Sequence, residues 1–152
     1  LFDHLGEGRG LAPHRAGDRT LAEGPPPRAR ASGGGSPGAA RMRPADVVQA
    51  QLEAYNAQDL DAFCACFAKD CVIADLYGAV TQEGAGQIRE RYEAVFAQYP
   101  ENKAHIVSRM AAGNVVIDHE RIQRSPELRL EAIAIYTVRD GLISRVDFVR
   151  AS

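Results

Sequence analysis

The hydrophobic pattern of this chain changes period at Pro100, and that change most constrains its fold class. Between Pro44 and Tyr99 apolar residues recur mainly every third or fourth position, and beyond Pro100 they recur every second position. The first spacing buries one stripe of a helix and the second buries one face of a strand. Val47, Val48, Gln51, Leu52 and Tyr55 line one helix, with Pro44 suited to its first turn. Asn56-Ala-Gln-Asp59 breaks it, and Asp59 can cap a second helix with Leu60, Phe63, Cys64 and Phe67 inside. Cys71 to Leu76 is rich in strand formers, and Gly78 to Gly84 reads as a turn with a short second strand. A third helix over Gly86 to Tyr99 carries Ile88, Tyr92, Val95, Phe96 and Tyr99 as its stripe, and Pro100 stops it. Strands fit 103–112, 115–123, 128–139 and 142–150, with Gly113-Asn114 and Asp140-Gly141 as hairpin turns. Three helices segregated onto one face of a mainly antiparallel sheet make an α+β fold.

Residues 1–41 are of a different kind. They hold nine of the fourteen glycines and five of the eight prolines, with no periodicity. Such a segment buries too little surface to offset the entropy of ordering it, so it is expected to be a disordered leader. Met42 is the first methionine and the patterned sequence starts behind it. Met42 is therefore the expected true start, with residues 1–41 a translated upstream leader; the alternative is a natural flexible tail or an expression remnant, and residues 42–152 are the expected domain.

The net charge of −2 gives no reason to expect nucleic acid or an anionic membrane as partner. No apolar run approaches the ~20 residues of a membrane helix. Cys64, Cys66 and Cys71, spaced C-x-C-x4-C, match no common zinc pattern and are read as buried thiols of a cytoplasmic protein. No phosphate-binding glycine loop, HExxH or G-x-S-x-G motif is present, and no cofactor or metal is expected.

Four passages resemble a known family in order. They are Ala54-Tyr-Asn-Ala-Gln-Asp-Leu-Asp-Ala-Phe63, then Phe67-Ala-Lys-Asp70 with Val72-Ile-Ala-Asp75, then Gly84-Ala-Gly-Gln-Ile-Arg89, and finally Arg139-Asp-Gly-Leu-Ile-Ser-Arg-Val-Asp-Phe148. Together they resemble the nuclear-transport-factor-2-like superfamily, which includes SnoaL-like and ketosteroid-isomerase-like domains. The resemblance implies a cone-like sheet around a central pocket, closed by three helices. It also implies a range of activities, from isomerases, cyclases, hydrolases and dehydratases to members that only bind or scaffold.

The same resemblance places Asp75 where ketosteroid isomerase carries its general-base aspartate. A carboxylate in an apolar pocket can shuttle a proton between carbons. The plainer role is a strand-end aspartate hydrogen-bonded to a turn. Gln51 and Ile135 align with that enzyme's carbonyl-polarising groups, so its usual donors are missing; Gln51, Tyr55 and Tyr92 are replacement candidates. A two-residue turn at Gly113-Asn114 pairs Met110 with Ile117, Ser108 with His119 and Ile106 with Arg121. That face is the more apolar, so His119 is expected in the cavity as a second acid/base group, or else satisfied by Ser108. The other face pairs Arg109 with Asp118 and Val107 with Glu120.

At Asp140-Gly141 the same arithmetic pairs Ile135 with Val146, Ile133 with Phe148 and Glu131 with Arg150 as the cavity wall. Tyr136, Val138, Ile143 and Val149 then face outward and point to a homodimer through the outer sheet face. The expected pocket residues are Gln51, Tyr55, Phe63, Ile73, Tyr92, Phe96, Ile133, Ile135, Val146 and Phe148. These residues fit two functions. One is a cofactor-free isomerase, cyclase or dehydratase acting on a small hydrophobic carbonyl compound, with Asp75 as base. The other is a non-catalytic ligand-binding or dimerisation module, its cone filled by Phe63, Phe67, Phe96, Ile133 and Phe148.

Overall fold

The structure is a computed structural model and describes residues 42–151. The expectation of a disordered leader over residues 1–41 lies outside the described residues. The elements run α1 (Pro44–Ala57), α2 (Leu60–Cys64), β1 (Phe67–Asp75), β2 (Val80–Glu83), α3 (Ala85–Gln98), β3 (Lys103–Ala112), β4 (Val115–Gln123), β5 (Arg129–Arg139) and β6 (Leu142–Ala151). One six-stranded sheet has the order β2-β1-β6-β5-β4-β3. Every neighbouring pair is antiparallel except β1 with β6. No helix among the described residues is long and apolar enough to cross a membrane.

Local chemistry sets the helix ends. Pro44 opens α1, and the Asp46 carboxylate accepts from the Arg43 backbone N–H. Gln58 ends α1 in the left-handed conformation at φ 56°. Asp59 caps α2 by accepting from the Ala62 N–H at 3.1 Å. Helix α2 is shorter than its apolar spacing predicts: Phe67 is the first residue of β1. Asn56 then ties α1 to the start of β3. Its amide donates to the Ala104 carbonyl at 3.0 Å and accepts from the Ala104 N–H at 2.7 Å.

Bulges curl the sheet, because an extra residue bends its strand and strengthens the local twist. One falls at Val107, where Ile106 pairs with Glu120 while Ser108 pairs with His119. Another falls at Ser144, where Val138 pairs with Ile143 while Thr137 pairs with Arg145. The ladder between β4 and β5 is unbroken. On the concave side α1 packs over β3 to β6. The small inner residues Ala132 and Ala134 of β5 let it approach. Tyr55, Phe63, Phe67, Tyr92 and Phe96 make an aromatic cluster at the helix–sheet junction, with ring centroids 4.5–6.4 Å apart.

Two face assignments are corrected here. On β4 the buried side carries Val116, Asp118 and Glu120, so His119 faces outward, beside Glu131. Apolar content is a poor guide on this strand because the buried Asp118 is neutralised in place. Arg109 binds it through Nε at 2.6 Å and Nη2 at 2.9 Å, and reaches Gln49 of α1 at 2.8 Å. On β5 the buried side carries Ala132, Ala134, Tyr136 and Val138, while Ile133 is 39% exposed and Ile135 also lies on the outer side. The Ser144 bulge shifts the β5–β6 register by one residue. Ile133 therefore meets Val149, Ile135 meets Asp147, and Glu131 meets Ala151 instead of Arg150.

Candidate functional site

Beneath α1 and α3 the concave sheet leaves a cavity of about 400 Å³ that opens to solvent. Gln51 and Tyr55 enter it from α1, Tyr92 from α3, Glu120 from β4, Tyr136 from β5, and Val146 and Phe148 from β6. Five expected pocket residues thus line it: Gln51, Tyr55, Tyr92, Val146 and Phe148. Phe63, Ile73 and Phe96 lie in the packed core instead of the cavity wall. Ile133 and Ile135 stand on the opposite face of the sheet, as the register shift requires.

Glu120 is the buried carboxyl group of this cavity. It is only 6% exposed, and its carboxyl group has no hydrogen-bond partner among the described residues. Burial pushes its pKa up to about 7; the neighbouring Asp118 carboxylate adds to the rise and Arg109 opposes it. Three phenols share its surroundings. Burial raises the hydroxyls of Tyr55, Tyr92 and Tyr136 above their ordinary value, and in each the charge of Glu120 adds to the rise. All three therefore stay protonated donors at neutral pH. A group able to take or give a proton near neutrality thus stands among fixed O–H donors.

Asp75 occupies a different place. It ends β1, where its carbonyl accepts from the Gly78 N–H at 2.8 Å in the turn to β2. Its side chain is 46% exposed and pairs with Arg150. Arg150 also lies over the Phe148 ring, its guanidinium carbon 5.1 Å from the centroid. The expectation that Asp75 is a desolvated carboxylate inside the pocket is therefore corrected: it anchors Arg150 at the cavity wall. His119 does not share the cavity with it. Sequence reasoning missed Glu120 because it assigned that strand face to solvent; the nearby Arg109–Asp118 cross-strand pair was the signal that could have found it.

Among the described residues no group of three or more His, Cys, Asp or Glu side chains is arranged to hold a metal ion. The three cysteines are free thiols, and burial pushes Cys71 up to about 12.

Comparison with known proteins adds family relationships to this geometry. Residues 48–146 match the model of the SnoaL-like domain. An uncharacterised cystatin-fold protein from Novosphingobium aromaticivorans is similar at 30% identity and a TM-score of 0.68, over 72% of this chain and 99% of that one. A candidate polyketide cyclase from Sinorhizobium meliloti shares the fold at 22% identity and a TM-score of 0.60, over 71% of this chain and 100% of that one. A candidate ketosteroid isomerase from Kribbella flavida does so at 18% identity and a TM-score of 0.59, over 70% of this chain and 76% of that one. No curated protein matches the chain.

Proposed function

Because the chain belongs to the SnoaL-like domain family, we propose that its cavity takes a small, largely apolar carbonyl compound and moves a proton on it, with Glu120 as general base. The observation that carries this reading is a buried, unbonded carboxyl whose pKa is pushed up to about 7 in a cavity of about 400 Å³. A base in that range is half ionised at neutral pH and gains strength from its burial. Tyr55, Tyr92 and Tyr136 supply candidate donors for the enolate oxygen that forms when a proton leaves the neighbouring carbon. Isomerisation, aldol-type cyclisation and dehydration all begin with that step. The shared folds of a candidate cyclase and a candidate isomerase are in keeping with this chemistry.

Deuterium exchange at the methyl carbon of 4-methylacetophenone, followed by NMR in D2O, tests the reading. The full chain is expected to accelerate exchange, with a rate that rises with pH and levels off above about 7. Glu120→Gln should lower that rate about 10²–10⁴-fold, while Asp75→Asn stays within a few-fold. Ligand binding without any Glu120-dependent exchange would leave only the binding-module reading.

The same proposal includes a homodimer through the outer sheet face. Tyr136, Val138 and Ile143 no longer support it, since they are buried inside. Val107, Met110, Ile133 and Val149 are exposed apolar residues on strands β3, β5 and β6 and support it instead.

A further inference from the structure

Three arginines stand in the cavity wall, from three different elements: Arg91 on α3, Arg124 just after β4 and Arg150 on β6. Each is oriented by, or acts on, an aromatic group. The Arg124 guanidinium carbon lies 5.4 Å from the Tyr99 ring centroid and that of Arg150 5.1 Å from the Phe148 centroid. Arg91 and Arg124 line the same cavity, and both act electrostatically on the Tyr55 and Tyr92 hydroxyls. Arg150 is already paired with Asp75. Among the described residues Arg91 and Arg124 have no carboxylate partner. The two acids in the wall do not neutralise them: Glu131 is engaged by His119, and Glu120 lies deep on β4.

We infer that the ligand of this cavity is an organic anion, an apolar carbonyl compound bearing a carboxylate, whose charge is held by Arg91 and Arg124 while its carbonyl end points inward to Glu120 and the tyrosines. This rests on the proposed function and names its substrate class. Guanidinium groups match a carboxylate in shape and charge, and two unpartnered ones facing one opening favour an anion over a neutral isostere. The interior is unsuited to a second charge, because an anion beside Glu120 would oppose its ionisation.

The test compares 4-acetylbenzoate with 4-methylacetophenone, which differ only in the carboxylate, by NMR titration of the full chain. The carboxylate is expected to bind about tenfold tighter, the sum of a few partly exposed charge contacts, and to lose that preference in high salt. In Arg91→Gln/Arg124→Gln the ratio should fall to about one. Equal affinities in the parent protein, or a preference that survives the double substitution, overturn the inference and leave the cavity reading standing. If neither compound binds, the cavity reading falls and the inference falls with it.

Discussion

Glu120 shows how position governs the chemistry of one residue. A glutamate in water ionises near 4.5; here burial and Asp118 push it up to about 7. A carboxyl with a raised folded pKa holds its proton more tightly folded than unfolded. Its effect on stability is therefore most favourable below about 4.5 and is lost as pH rises through about 7. The loss is on the order of 3 kcal/mol over that window, from about 1.4 kcal/mol per pH unit. Urea unfolding at pH 5 and pH 8 should show it, and Glu120→Gln should flatten the difference and be the more stable protein at pH 8. Asp75 makes the complementary point. Its strand and the family resemblance single it out, yet its side chain is half-exposed, pairs with Arg150 and does not line the cavity.

At the scale of elements, the hairpins carry the site. Most helices and strands were legible almost to their ends, since the period change, Pro44, Pro100 and the Asp140-Gly141 turn act locally; α2 and β1 were not, because Phe67 continues the helical stripe yet opens the strand. The faces of β4 and β5 were not. Each strand carries apolar residues on both sides: Ile117 opposes Val116 across β4, and Ile133 and Ile135 oppose Tyr136 and Val138 across β5. Bulges at Val107 and Ser144 add single residues that leave no mark in composition, yet each flips the inward–outward parity of the strand residues beyond it. The Arg109–Asp118 pair ties the β3–β4 hairpin to Gln49 of α1, with Asp118 only 1% exposed. Removing one partner strands a buried charge, so Arg109→Met is expected to destabilise by about 3–5 kcal/mol. The double variant Arg109→Met/Asp118→Leu should recover most of that loss in the same unfolding measurement.

For the molecule as a whole, the curl of the sheet turns one surface into a cavity and the other into an outer face. The exposed apolar residues Ile133 and Val149 are cross-strand partners on that outer face. Sedimentation is expected to report a dimer for the full chain and a monomer for Ile133→Glu/Val149→Lys, with ketone binding unchanged. A monomeric parent would remove the dimer from the proposal. What the sequence by itself determined is the α+β class, the order and approximate extent of the elements, the family resemblance and five residues of the cavity wall, Gln51, Tyr55, Tyr92, Val146 and Phe148. All of these rest on periodicity and turn chemistry, which act over a few residues. Only the tertiary structure decided that Glu120 faces in, that His119 faces out and that Asp75 meets Arg150. The faces of β4 depend on partners such as Arg109 and Asp118, and the place of Arg150 on strand parity after the Ser144 bulge, and neither is fixed until the strands have paired.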